Sequence, residues 1–164
     1  MVLAQICLAA SILLCSLVAG LVFAFAVVIM PGIKSLDDRE FLRAFVVMDR
    51  VIQNNDPLFL AVWLGSAVSV IALAVLGLWC FNGLALYLVV TCSATYLLGV
   101  QLPTIVVNIP LNNRLQALDL DAMSDAEISL ARREFEDRWT LWNSIRTVVA
   151  TVVSIGFIVV AINT

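Results

Sequence analysis

Histidine is absent from this 164-residue chain, and its four cysteines include no Cys-x-x-Cys pair. Haem, di-iron, zinc and copper centres are built on imidazole, thiolate or clustered carboxylate ligands, so such a centre has few ligands here and no metal is expected. Charge is also scarce, at 13% of residues, where a soluble domain carries roughly a quarter. It is missing from residues 1–33, 57–113 and 147–164, because all nine basic and twelve acidic residues fall in two windows, Lys34–Asp56 and Arg114–Arg146. Without an Asp or Glu inside the uncharged stretches, a proton-coupled transporter lacks its titrating carrier. Without a GxSxG, P-loop or GxGxxG sequence, hydrolase and nucleotide-binding readings lapse. No outward-facing cluster of Lys and Arg is present to hold phosphate, so no nucleic-acid partner is expected.

What fills the chain instead is apolar. Hydrophobic residues make up 63% of it, more than one small soluble core could bury. A bilayer span takes roughly 20 mainly apolar residues. Four stretches meet that length, at about residues 3–30, 58–81, 84–107 and 141–162. The expected fold is all-α, an integral membrane four-helix bundle forming a single membrane domain over residues 1–164. The first run exceeds the roughly 7–15 apolar residues of a signal peptide and has no basic residue ahead of it, so it reads as a permanent span. Lys and Arg in short loops set orientation. Lys34, Arg39, Arg43 and Arg50 lie in the first connection and Arg114, Arg132, Arg133, Arg138 and Arg146 in the third, while the Asn82-Gly83 turn has none. Both charged loops are expected in the cytoplasm and both termini outside, in the inner (plasma) membrane of a bacterium.

The charged windows carry helical patterns of their own. Ser35 with Asp38 forms an N-cap signature, followed by Phe41, Phe45, Met48 and Ile52 on one face. Ser124 with Glu127 forms a capping box, opening a stripe of Ile128, Ala131, Phe135, Trp139 and Trp142 that runs on into the fourth span. Two amphipathic loop helices are therefore expected on the cytoplasmic side, with residues 116–123 as the one real loop. Two small-residue stripes spaced by four, Ser16-Gly20-Ala24 and Ala61-Gly65-Ser69, mark faces where helices could approach closely.

Helix lengths force some polar groups toward the hydrocarbon. After Arg146 the fourth span has sixteen uncharged residues up to Ile162, about 24 Å against a hydrocarbon core of roughly 30 Å. Asn143 and Arg146 are thereby drawn to the inner boundary, and Trp139 shares their face at i, i+4, i+7 spacing. On the third span Gln101, Thr104, Asn108 and Asn112 form a polar stripe, interrupted by Pro103 and Pro110. Each proline frees a backbone carbonyl that something nearby must satisfy. Asn54, just ahead of Pro57, approaches the same interface from the second span. An intramembrane ionisable group is a functional-site hypothesis by default. The competing reading has Arg146 reaching out to the headgroups, with Trp139 and Trp142 as interfacial anchors, and the residues alone leave both open. Convergence would make a pocket of amide and guanidinium donors walled by indole. Such donors stabilise an enolate or phenolate, and a flat aromatic ligand entering from the bilayer would stack on tryptophan.

Several elements are similar to those of a known family: Met30-Pro31-Gly32 after the first span, Asn54 with Pro57 and Phe59, Asn108-Ile109-Pro110-Leu111-Asn112, and Trp139, Trp142, Asn143 and Arg146-Thr147. In their order and at these helix ends they resemble the four-span membrane family, long labelled a domain of unknown function, that includes the fungal anthrone oxygenases. The resemblance covers nearly the whole chain. It implies oxidation of an anthrone-like, lipophilic aromatic by molecular oxygen with no cofactor. Arg146, Asn143, Asn108 and Asn112 would be the catalytic groups that polarise the substrate's oxygens, with Trp139, Trp142, Gln101, Thr104 and Asn54 binding it. The usual general base is histidine. In its absence Asp49, Glu136 or Asp137 could serve, or an acidic anthrone could ionise with Arg146 alone as counter-ion. The alternative is a non-catalytic membrane module that binds a membrane lipid, a hydrophobic aromatic small molecule or a partner subunit, its amides and Arg146 locking helix to helix. Transport through four spans without internal charge would require a homo-oligomer.

Overall fold

The computed structural model describes residues 2–164 and builds them almost wholly from helix. Here α1 is Val2–Ile33, α3 Pro57–Cys80, α4 Gly83–Gln116 and α5 Asp125–Ile162, and each is long and apolar enough to cross a membrane. The shorter α2, Asp38–Gln53, lies between α1 and α3. The all-helical, four-span architecture expected from composition is the one observed. Its cause is that a helix satisfies its own backbone within one segment, which hydrocarbon demands. The long helices close into a ring: α1 packs along α3 and α5, and α4 packs against both of those as well. Val18, Leu73, Tyr96, Val100, Val153 and Phe157 meet inside it. Outward, Leu64, Val68 and Ile71 of α3 and Val148, Val152 and Ile155 of α5 stay exposed, an apolar surface suited to lipid.

Three details depart from the sequence reading. In the first small-residue stripe, Ser16 and Gly20 face outward, and α1 turns Leu8, Cys15, Val18 and Val22 inward instead. The inward groove is filled by side-chain volume, and a glycine gap is not needed there. On α3, Gly65 does meet a neighbour, since a Cβ there would stand 3.3 Å from Leu14 Cδ1. The second departure is the cap of α2. Asp37, not Ser35, accepts the Glu40 N–H at 2.8 Å, and Ser35 donates to the Gly32 carbonyl at 3.0 Å. Because α1 runs on to Ile33, Ser35 closes that helix and does not open the next. The Ser124–Glu127 box does open α5, with Ser124 N–H donating to Glu127 at 2.8 Å and Glu127 N–H donating to Ser124 Oγ at 3.4 Å.

The third departure is the length of α4, which continues well past residue 107. Its prolines do not stop it because each follows a widened turn. The N–H of Met30 donates to Phe25, that of Leu102 to Leu97 and that of Ile109 to Thr104, each five residues back, and Pro31, Pro103 and Pro110 come next. Proline crowds the carbonyl four residues before it and offers it no N–H. One extra residue in the preceding turn relieves that crowding and lets the helix run on, and such turns gather at functional sites. Gln101, Thr104 and Asn108 all sit in the widened turns of α4, and all are buried.

Close approach of α4 to α5 rests on Gly99. A Cβ there would lie 2.8 Å from Val149 Cγ1 and 3.3 Å from its Cγ2, and a β-branched side chain cannot rotate away from both contacts. Gly99→Ala is expected to destabilise by about 1–3 kcal/mol, seen as a lower melting temperature in detergent, and Val149→Ala should restore most of the loss. A Gly99→Ala protein that melts with the parent would refute this contact.

Both charged windows lie at one end of the bundle. There α2 packs against α5 and the last turns of α4, burying Phe41 and Phe45 against Leu111, Ile128, Phe135 and Trp139. Arg39 donates to the Leu120 and Met123 carbonyls and to Asp125, and Arg43 pairs with Asp121.

Candidate functional site

Helical spacing on α5 places Trp139, Asn143 and Arg146 on one face, and that face looks into the bundle. All three are buried, Arg146 to 4% exposure. Its Nη1 donates to Thr104 Oγ1 at 2.8 Å and its Nη2 to Asn143 Oδ1 at 3.0 Å. The guanidinium carbon stands 5.9 Å from the centre of the Trp139 ring. Both acceptors are held from behind. Thr104 donates to the Val100 carbonyl at 2.7 Å, and Asn143 Nδ2 donates to the Val22 carbonyl of α1 at 2.9 Å. That last bond fixes the asparagine amide, so its oxygen faces the arginine.

The electrostatics of this arrangement are one-sided. Every ion pair among the described residues lies at the loop end, and none includes Arg146. Its Nε, though buried, makes no hydrogen bond, and neither does Asn108 Oδ1, one turn beyond Thr104. A buried cation without a counter-ion costs several kcal/mol even after relaxation. Such a group is a preorganised donor for an anionic oxygen.

Toward the loop end the same face continues through Trp139. Phe25, Phe45 and Phe135 pack around its ring at centroid distances of 5.4, 5.0 and 6.2 Å. Its carbonyl accepts from Asn108 Nδ2 at 3.5 Å, and its Nε1 donates to Asn112 Oδ1 at 2.8 Å. Asn112 Nδ2 then donates to Asp49 Oδ1 at 2.7 Å, while Gln53 and Gln116 donate to Asp49 Oδ2 at 3.1 and 3.0 Å. Asp49 thus sits at the head of the network. The sequence carried a signal for it, since Phe45, Asp49 and Gln53 recur every four residues and so place Asp49 on the inward face of α2.

Thr104, Asn143 and Trp139 therefore surround Arg146 directly. Asn108 and Asn112 reach it only by way of Trp139. Gln101 belongs elsewhere, donating to Ser66 Oγ at 3.1 Å in a cluster that also holds the Tyr96 hydroxyl at 2.8 Å. Asn54 is exposed at the C-terminal cap of α2, and Trp142 lies half-buried at the rim of the loop-end core. Of the other two candidate bases, Glu136 is paired with Arg132 and Lys34, and Asp137 is exposed.

Beside this network, between the end of α4 and the first turns of α5, lies a cavity of about 800 Å³. Leu111, Leu115, Leu130 and Phe135 give it apolar walls, and Arg114, Arg138 and Glu134 stand among its lining. It adjoins the site through Phe135, which packs on Trp139, and through Leu111, the neighbour of Asn112.

Residues 57–156 match the family model described as anthrone oxygenase. The match takes in α3, α4 and the Trp139–Arg146 face of α5, and starts beyond α2 and Asp49. No curated protein and no solved structure matches the chain.

Proposed function

Because the chain belongs to the anthrone oxygenase family, we propose that it oxidises a lipophilic aromatic of the anthrone type with molecular oxygen, without a cofactor, at the Arg146 site. The observation that carries this reading is a guanidinium buried without a carboxylate partner and with its Nε unbonded. An anthrone has a ring CH₂ whose carbanion delocalises onto the ring ketone. A donor aimed at that oxygen favours the ionised form. Arg146 Nε is the available donor, and Asn108 Oδ1 can accept from a neighbouring phenol. The CH₂ proton leaves to water with Arg146 as counter-ion. The carbanion passes one electron to O₂, and the pair combines as a peroxide anion on the ring carbon. That peroxide takes up a proton and loses water to leave a ketone. The CH₂ and O₂ thus become C=O and H₂O. The charged end, rich in Arg, faces the cytoplasm in this reading.

Purified protein in detergent, given anthrone, is expected to consume one O₂ per substrate and form the quinone without releasing peroxide. A rate no faster than the detergent blank would sink the proposal, and unconverted lipid or aromatic copurifying beside Trp139 would favour a binding module. The neighbouring cavity is the proposed route in. Leu130 lines it and is 52% exposed, so Leu130→Trp should fold while narrowing the path. Its KM is expected to rise several-fold with kcat little changed, and unchanged kinetics would remove the cavity from the route.

A further inference from the structure

Asp49 is the buried acid of the described structure, 2% exposed, and no Lys or Arg lies within ion-pair distance of it. Three amides hold it. Asn112 donates to one oxygen, and Gln53 and Gln116 donate to the other. With both oxygens engaged and almost no exposed surface, the carboxylate is poorly placed to take a proton from a substrate.

Its hydrogen bonds point to a different task. Asn112 stands between two partners of opposite ability: an ionised carboxylate only accepts and an indole N–H only donates. One orientation of the amide serves both, with Nδ2 toward Asp49 at 2.7 Å and Oδ1 toward Trp139 Nε1 at 2.8 Å. Were residue 49 able to donate, the amide could turn over and set its NH₂ against the indole N–H. Trp139 is the hub of the site, since its ring faces Arg146 at 5.9 Å and its carbonyl receives Asn108.

We propose that Asp49 is a positioning residue: by fixing the amide of Asn112 it locks the Trp139 indole, and with it the wall against which Arg146 and the substrate are aligned. The effect on rate rests on the oxygenase reading, but the chain of bonds does not. The family match does not extend to Asp49, so this control is built from a part of the chain outside the matched region.

The test follows the Trp139 indole N–H in ¹H–¹⁵N spectra of the full chain in detergent, assigned through Trp139→Phe. In Asp49→Asn that resonance should move upfield as its hydrogen bond is lost. On anthrone, kcat should fall about 10–100-fold, the scale of a small misalignment, with KM nearly unchanged. Combining Asp49→Asn with Asn112→Asp puts the acceptor-only group at position 112, where it can take both the indole N–H and the amide introduced at position 49. This swap is expected to return the resonance and most of the lost rate, whereas a proton acceptor at position 49 predicts no recovery. An unmoved resonance in Asp49→Asn, or a swap no better than the single substitution, would overturn the proposal. If Asp49→Asn does not fold, Asn112→Leu breaks the same link and must show the same upfield shift. If the parent protein does not oxidise anthrone, the oxygenase reading fails while the resonance still decides the role of Asp49.

Discussion

Arg146→Ala is expected to lower oxygen uptake on anthrone by about 10²–10³-fold in kcat, the loss seen when one preorganised oxyanion donor is removed, while the bundle stays folded. The two halves of this expectation have one cause. Removing the guanidinium deprives the developing enolate of its charge partner. It also relieves the fold of a buried cation that no carboxylate balances. Of the groups left behind, Thr104 keeps its bond to Val100 and Asn143 Nδ2 its bond to Val22, so only Asn143 Oδ1 loses its partner, a smaller cost than that of the unbalanced cation. The melting temperature should therefore hold or rise as activity falls. Arg146→Lys keeps the charge but not the planar fork that reaches Thr104 and Asn143 together, and should recover only part of the rate. Oxygen-electrode rates and thermal melts in one detergent make the check. A variant with parental uptake would end the catalytic role, and a lower melting temperature with no change in turnover would mark Arg146 as a bolt between helices.

The α5 half of this site was legible because it depends on spacing alone. Trp139, Asn143 and Arg146 share a face on any α-helix. The α4 half was legible as a polar stripe, but not in its partners. Thr104 takes the arginine while Gln101 turns to Ser66, a choice made by how the widened turns seat α4 against α3 and α5. Pro103 and Pro110 looked like interruptions, and the extra residue that absorbs each of them has no local signature. Asn54 lies at a helix end, where a side chain can point either way, and Trp142 stands in mid-helix at the edge of the inward stripe of α5; packing left both at the rim. Asp49 was legible as a candidate base on the inward face of α2 but not in its partners, because the glutamines and Asn112 that hold it are brought together from two helices.

A second arginine on the same helix should behave in the opposite way. Arg132 has a side chain only 11% exposed and donates to Glu136 at 2.8 Å, to Asp38 at 3.0 Å, and to the carbonyls of Leu36 and Lys34, both at 2.9 Å. Its guanidinium carbon also lies 4.2 Å from the Phe41 ring centre. It clasps the turn between α1 and α2 onto α5. Arg132→Ala would leave two loop carbonyls and two carboxylates without this donor, and hydrogen bonds to a charged group are worth roughly 1.5–3 kcal/mol each. Because the site is partly solvated, a net loss of about 3 kcal/mol is expected for the whole clasp. Melts should show it directly, and limited proteolysis should cut at residues 34–37 where the parent resists. Arg132→Lys should rescue little, since one ammonium cannot serve four acceptors spread around a plane. The damage should also reach the site. Helix α2 carries Phe45 and Asp49, which back onto Trp139 directly and through Asn112, so activity should fall along with stability. Two alanine substitutions on α5 are thus separated by what surrounds the cation: the partnered arginine lowers the melting temperature when removed and the unpartnered one does not. If Arg132→Ala melts with the parent and its loop stays protected, the clasp holds nothing, and α2 is kept in place by the packing of Phe41 and Phe45 alone.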